Sequence, residues 1–464
     1  MRPHPDGTVL TRARRLAAWV ALGGLVGLLC GSASALFLTL LDLATGARTA
    51  HPALVWALPV AGGGIGWLYQ RFGQPIAGGS ALVIDRVADL GPQVPHRLAP
   101  MVLVGTVLTH LFGGSAGREG TAVQMGVGLA DTVAHGLRVS PALRRALLTA
   151  GMAGGFGSVF GTPIAGLVFA LESITVGRLR YTALVPALVA ALVGDLTTTA
   201  WGVGHTHYPH PAPLPLSPLL LGKWVLFAVA VAVTTGVFVA LTHHLKATYL
   251  KLGLRLPARM AVGGALVVGL WQLVGTDDYL GLGVPTIVRA FEDPGLAGGA
   301  FALKLLFTAV TLSAGFLGGE VTPLFFIGAA LGNLLAAPLG LPLDLAAGVG
   351  LAAVFAAAAN APLALSIMAV ELLGASLLPH AVVVGVLAWL LVGHRGIYPT
   401  QRLRESKWGS PLPPLPTAGP LRLGTWRAPV PTPGSAPAGT PTPPRDPPAE
   451  RPGAQPIASP TERG

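Results

Sequence analysis

Gly113-Gly114-Ser115-Ala116-Gly117-Arg118-Glu119-Gly120-Thr121, running straight into Ala122-Val123-Gln124-Met125-Gly126, decides how this chain is read. The stretch follows the apolar residues 101–112, so an arginine and a glutamate stand where the composition has the chain crossing or entering a lipid bilayer. An ionisable residue at the bilayer centre costs about 2.5–3.5 kcal/mol on insertion scales, and such residues face a protein interior or an aqueous path. Glycines allow close backbone approach, and the following run begins a helix whose first N–H groups can hold an anion. Glu119 would stand at that mouth.

The rest of the chain fits a membrane setting. Of 464 residues 52% are hydrophobic and 11% charged, with a mean hydropathy of +0.65, whereas an average soluble protein carries about 25% charged residues. These values predict an all-α polytopic membrane protein. Residues 16–41 and 219–241 are long enough to span, while the Gly-interrupted runs 122–129 and 321–335 fall short of the roughly 20 residues a crossing needs. The short runs predict broken or re-entrant helices, tolerated where loose backbone is buried in protein or lines a wet cavity. A net charge of +11 could suggest a nucleic-acid partner, but the basic residues sit in loops and at the ends. Arg2, Arg12, Arg14 and Arg15 precede the first span, Lys246, Lys251, Arg255 and Arg259 fall in a central loop, and Arg395, Arg402, Arg404 and Lys407 follow the last. The positive-inside pattern puts all three groups, and both termini, in the cytoplasm of a multi-pass cell-membrane protein, with the bilayer and not nucleic acid as partner. Cys30 is the single cysteine, so redox chemistry is not expected. The basic start and the small residues 31–35 could pass for a signal peptide, but hydrophobicity resumes at Leu36, which favours an uncleaved first helix.

A duplication organises the chain. Thr162-Pro163-Ile164-Ala165, with Glu172 downstream, recurs as Ala361-Pro362-Leu363-Ala364 with Glu371, at an offset of 199. Thr106, Thr109, Glu119, Thr121, Gly126 and Leu129 recur as Thr308, Thr311, Glu320, Thr322, Gly328 and Leu331 at offsets of 201 or 202. Gly79-Ser80-Ala81-Leu82 matches Gly281-Leu282-Gly283-Val284 more weakly. The expected organisation is a cytoplasmic N-terminus 1–15, a transmembrane repeat 16–200, a Pro- and His-bearing loop 201–217, a second transmembrane repeat 218–398 and a tail 399–464. Midplane sites between inverted repeats are a common transporter solution, so inverted repeats are expected. From Pro411 the Pro-rich composition cannot bury a core, and that tail is expected to be disordered.

Glu119 has two readings, a buried ion pair with Arg118 or another base, and a titrating gate on an ion path. At a helix N-terminus a carboxylate is stabilised by the same donors that would hold an anion. Carboxylate and anion can therefore exchange for one place, and a proton on the carboxylate would vacate it. Glu320, in Gly318-Gly319-Glu320-Val321-Thr322-Pro323, repeats the arrangement, with a plain helix cap as the simpler alternative. Glu172 and Glu371, toward the ends of apolar helices, read as structurally paired, with a transport role as the alternative. Ser80, after Gly78-Gly79, could donate to an anion or be an ordinary turn residue. Tyr398 could be an interfacial anchor. His205, His207 and His210 stand among prolines without a carboxylate or cysteine, which argues against a metal site, and no cofactor motif is present. A hydrolase using Ser80 and His110 would need a nucleophile with a positioned base.

As a set, Gly117-Arg118-Glu119-Gly120, the Gly318-Gly319-x-x-x-Pro323 signature with the apolar run 324–332, the Pro163-to-Glu172 helix and the lone Tyr398 resemble the CLC anion channels and anion/proton exchangers over residues 16–400. That resemblance implies a homodimer of inverted-repeat subunits, each with its own anion pathway. It implies that Glu119 is the gating glutamate, that Ser80 and Tyr398 flank the central anion site, and that Gly117, Arg118, Gly120, Val321 and Thr322 frame the anion. Many larger relatives carry C-terminal regulatory domains, which are not expected here. Val321 replaces the phenylalanine of most of the family, and Thr121 its proline. Gly-Arg-Glu-Gly-Thr with Gly-Gly-Glu-Val-Thr-Pro is similar to the fluoride/proton antiporter branch, in which glutamate and threonine at the positions of Glu320 and Thr322 are implicated in fluoride handling. Ser173, where chloride/proton exchangers commonly carry a second glutamate, also resembles that branch. Ser80 points the other way, since that branch usually has asparagine or methionine there and chloride transporters serine. The resulting expectation is a fluoride/proton antiporter exporting cytoplasmic fluoride by proton influx. A chloride/proton exchanger or chloride channel is the alternative.

Overall fold

The computed structural model describes residues 9–403 and 406–408. Among these residues sixteen α-helices make up nearly all the regular structure, beside one short strand pair, β1 (Thr175–Val176) with β2 (Arg402–Leu403). The first eight are α1 (Val9–Ala50), α2 (Leu58–Phe72), α3 (Gly79–Asp89), α4 (Leu98–Leu111), α5 (Glu119–Gly136), α6 (Pro141–Phe160), α7 (Pro163–Glu172) and α8 (Leu184–Ala200). The second eight are α9 (Pro218–Lys251), α10 (Leu256–Val274), α11 (Val284–Glu292), α12 (Ala300–Ala314), α13 (Val321–Leu339), α14 (Leu343–Ala359), α15 (Pro362–Leu373) and α16 (Leu378–Leu391). The two sets follow one order of long and short elements, helix for helix, as two related repeats.

Packing repeats as well. Helix α1 lies on α8 as α9 lies on α16, α5 crosses α6 as α13 crosses α14, and α7 meets its counterpart α15 across the two sets. The α5–α6 crossing brings Gly126 onto Gly151 so closely that a Cβ on either would collide with the other's carbonyl, and Gly328 and Gly350 do the same between α13 and α14. Small residues allow this approach where no hydrophobic drive separates helix from lipid.

Two reciprocal contacts tie the sets together about a local two-fold. Gly117 N donates to Gly319 O at 2.6 Å and Gly319 N to Gly117 O at 2.7 Å, an antiparallel bridge between equivalent glycines. Glu172, ending α7, accepts from Leu363 N at 3.2 Å and Ala364 N at 2.8 Å at the start of α15. Glu371, on α15, accepts from Ile164 N at 2.9 Å and Ala165 N at 2.7 Å at the start of α7. Each carboxylate satisfies two of the orphan N–H groups of a Pro-initiated helix. The pairing of these two glutamates is thus reciprocal helix capping.

Two differences from the sequence reading have clear causes. The short runs 122–129 and 321–335 belong to continuous helices of 18 and 19 residues, whose polar and glycine positions are buried and so needed no apolar side chain. Both begin inside the protein, at Glu119 and Val321, which makes them broken elements. Residues 399–403, expected to belong to a disordered tail, are packed: Gln401 Nε2 donates to Ser173 O and Ala359 O, each at 2.8 Å, and Thr400 Oγ1 to Ala81 O at 3.1 Å. The Pro-rich stretch from 411 lies outside the described residues. Six helices among those described are long and apolar enough to cross a membrane, and α1, with 42 residues, is about twice the length a crossing needs.

Candidate functional site

The Gly113–Gly117 segment is fixed by hydroxyls of α12 before it delivers Glu119. Ser115 Oγ pairs with Thr308 Oγ1 at 2.9 Å, Ser115 N donates to Thr311 Oγ1 at 3.1 Å, and Thr121 Oγ1 pairs with Thr106 Oγ1 at 2.7 Å. The threonines of α12 therefore clamp this segment, while Thr106 of α4 holds Thr121 in the first turn of α5 and Thr109 turns its hydroxyl back to Gly105 O. His110 turns Nδ1 to Thr106 O at 2.8 Å and Nε2 to Ala116 O at 2.9 Å, so both ring nitrogens face backbone carbonyls and neither faces Ser80. The hydrolase alternative loses its geometry there.

Glu119 opens α5 and is fully buried, yet its carboxylate reaches into the other set. Oε2 accepts from Thr322 N at 3.2 Å and from Arg118 N at 3.1 Å, and Oε1 accepts a short hydrogen bond from the Thr322 hydroxyl. Arg118 Nε lies 3.7 Å from Oε1. The carboxylate thus occupies the N-terminus of α13, where backbone N–H groups and helix dipole favour negative charge. The ion-pair reading of Glu119 has its counterpart in Arg118 Nε at 3.7 Å, and the α13 contacts are the closer ones.

Gly120 marks the point where the other polar groups converge. A Cβ placed there would lie 3.2 Å from Gly319 Cα, 3.6 Å from Ser80 Oγ and 3.9 Å from Glu320 Oε2. Any side chain at this position would enter the space between serine and glutamate. Ser80 is the second residue of α3, and its Oγ accepts from Gln124 Nε2 at 3.4 Å, which leaves its own O–H free to donate elsewhere. A narrow cavity lined by Ser80, Glu119, Gly120, Val321 and Tyr398, with Val83, Ile84, Val123, Met152, Phe156 and Phe169, has room for about one water-sized guest. Tyr398 is buried, with its ring edge-on to Phe169 at 6.4 Å.

The structure thus brings Ser80, Glu119, Gly120, Val321 and Tyr398 to one cavity, with Glu320 and Thr322 beside it. Gly117 holds the bridge to Gly319 and does not line the cavity. Arg118 points away, to Thr206 in the loop 201–217. Of the three loop histidines, His205 Nε2 lies 3.2 Å from Asp195 Oδ1, while His207 and His210 are exposed. The apolar cavity wall was missed from sequence, because aromatic and methionine side chains of α6 and α7 carry no sign that distinguishes a wet cavity from a core. Gln124, a polar residue five positions after Glu119 in an apolar run, could have been singled out.

Similarity to known proteins agrees with this arrangement. The family description "Voltage gated chloride channel" matches residues 61–393. A "Chloride/fluoride channel protein" of Pseudomonas syringae pv. tomato is 48% identical over 404 residues, covering 86% of this chain and 89% of that protein. The "Voltage-gated ClC-type chloride channel ClcB" of Salmonella typhi is 28% identical over 410 residues, covering 83% of this chain and 93% of that one. Among solved structures, a CLC-type fluoride/proton antiporter superposes with a TM-score of 0.82 at 34% identity, covering 86% of this chain and 100% of its own. A slow cyanobacterial Cl⁻/H⁺ antiporter gives 0.69 at 18% identity, covering 82% of this chain and 94% of its own, a likeness of fold.

Proposed function

This chain belongs to the voltage-gated chloride channel (CLC) family of anion transporters, and from that premise we propose that it is a fluoride/proton antiporter that expels cytoplasmic fluoride by proton influx. The observation that carries the reading is the Glu119 carboxylate at the start of α13, held by the N–H and hydroxyl of Thr322 with Glu320 alongside. Protonation removes the charge that makes Glu119 a strong acceptor, so the side chain leaves and an anion takes the vacated donors. Loss of the proton returns the carboxylate and displaces the anion. One group thereby alternates between proton carrier and gate.

Selectivity follows from the donors. Fluoride is small, strongly hydrated and a good acceptor, so O–H groups of Thr322, Ser80, Tyr398 and a protonated Glu320 replace part of its water shell in a space of one-water size. The named relatives with fluoride in their descriptions support the same reading. Ser80 favours a second reading, a chloride/proton exchanger or chloride channel. The 34 residues of α9 put the loop 201–217 about 50 Å from the basic end at Lys246 and Lys251, which supports a cytoplasmic basic face, with both termini there, and the loop outside. The working unit is a homodimer in the cell membrane. Glu119→Gln reconstituted in liposomes is expected to lose proton-coupled fluoride flux; coupling at the wild-type ratio would refute the gating role.

A further inference from the structure

We propose that the segment joining the two repeats, residues 201–217, completes a second halide-binding site on its own side of Glu119, built from the Arg118 guanidinium and the hydroxyls of Thr206 and Tyr208. The inference rests on the transport reading above and adds a stage to its path.

Arg118 connects the gate to this segment. Its backbone N–H donates to Glu119 Oε2 at 3.1 Å, while Nη2 donates to Thr206 Oγ1 at 3.4 Å. Nε is buried without a hydrogen-bond partner, and Glu119 Oε1 at 3.7 Å is too far to satisfy it. An unpaired buried guanidinium N–H calls for an acceptor. Thr206, as acceptor from Arg118, keeps its own O–H to donate. Tyr208, two residues on, is 8% exposed and packs its ring against Phe291 at 6.3 Å. Its hydroxyl has no hydrogen-bond partner among the described residues. The Arg118 guanidinium and the Thr206 hydroxyl thus meet beside the gate, with the Tyr208 hydroxyl two residues along the same segment.

Such a donor set takes a small monovalent anion, and a halide displaced from α13 by the returning carboxylate would meet it next. The segment is held firmly enough to present these groups without reordering. Ala212 N donates to Asp344 Oδ2 at 3.3 Å, Ser376 Oγ to Pro211 O at 3.1 Å, and His380 Nε2 meets Leu214 O at 2.9 Å. Donors fixed in advance bind with less ordering cost.

The test uses right-side-out and inside-out membrane vesicles, so that fluoride is varied on one face at a time. Tyr208→Phe keeps the ring against Phe291, and Thr206→Val keeps the shape of the threonine. Each is expected to raise half-saturating fluoride on the loop face about 3- to 10-fold. Half-saturation on the other face and the proton-to-anion ratio should stay at wild-type values. An equal shift on both faces, or a lower maximal rate with both half-saturations unchanged, would overturn the proposal and reduce the segment to a structural strap. If the wild type carries chloride and not fluoride, the fluoride reading fails by itself, and the same one-sided shift measured with chloride decides the site.

Discussion

Replacing Thr322 by valine removes one hydroxyl and little else, because the two side chains have nearly the same shape. In the structure that hydroxyl donates to Glu119 Oε1, while Oε2 keeps its backbone donors, Thr322 N at 3.2 Å and Arg118 N at 3.1 Å. A hydrogen bond to a charged group is worth about 1.5–3 kcal/mol, so the docked carboxylate loses roughly 10- to 100-fold in its equilibrium with the undocked state. An undocked carboxylate no longer blocks anions at α13, and anions then pass without a matching proton. Simultaneous recording of fluoride efflux and proton uptake in liposomes should show fewer protons moved per fluoride for Thr322→Val. Turnover should also fall, because fluoride loses the same donor. Thr322→Ser retains the hydroxyl and should keep the wild-type ratio. Valine and serine variants both coupled like wild type would refute the idea that this contact holds the gate shut.

The reciprocal caps give a symmetric expectation: Glu172→Gln and Glu371→Gln each leave one acceptor oxygen for two N–H groups, so each should cost about 1–3 kcal/mol, read as similar drops in melting temperature in detergent. Gln401→Leu unpairs Ser173 O and Ala359 O, both bonded at 2.8 Å, and leaves the Asn360 amide with His394 O alone. Buried groups left unpaired cost about 1–3 kcal/mol apiece, so this variant should be the less stable of the set and should show early proteolysis of the segment after Tyr398. Gly155→Ala places a Cβ 2.5 Å from Ala122 O, and overpacking of about 1–3 kcal/mol or more should lower the yield of folded protein without altering ion preference in what survives.

Much of this architecture was legible in the chain because the duplication is written in residues that cannot drift without breaking a contact. Glu172 and Glu371 recur since each caps the other repeat's proline-led helix; Thr308 and Thr311 of α12 clamp the segment that leads into Glu119, and Thr106 of α4 holds Thr121 just after it. Glu119 itself stood out through the energy of placing a charge in an apolar run. The lengths of α5 and α13 were underestimated because burial inside protein frees a helix from the apolar composition that lipid demands, as Gln124, Asp131 and Asn333 illustrate. The contact between Glu119 and Thr322 spans 203 positions, and no local pattern announces it. The packing of Gln401 was hidden by its place beside a proline-rich stretch, and the turn of Arg118 to Thr206 by its place beside Glu119, where an ion pair and an anion contact were both open.

The central claim is that one buried carboxylate exchanges a proton for a fluoride ion. Its most direct test is side-by-side efflux of fluoride and chloride from liposomes holding the purified protein, with internal pH recorded in the same samples. Fluoride should leave faster than chloride and drive protons inward at a fixed ratio in the wild type, and Glu119→Gln should show no proton movement. Faster chloride efflux, or fluoride efflux that moves no protons in the wild type, would contradict the account.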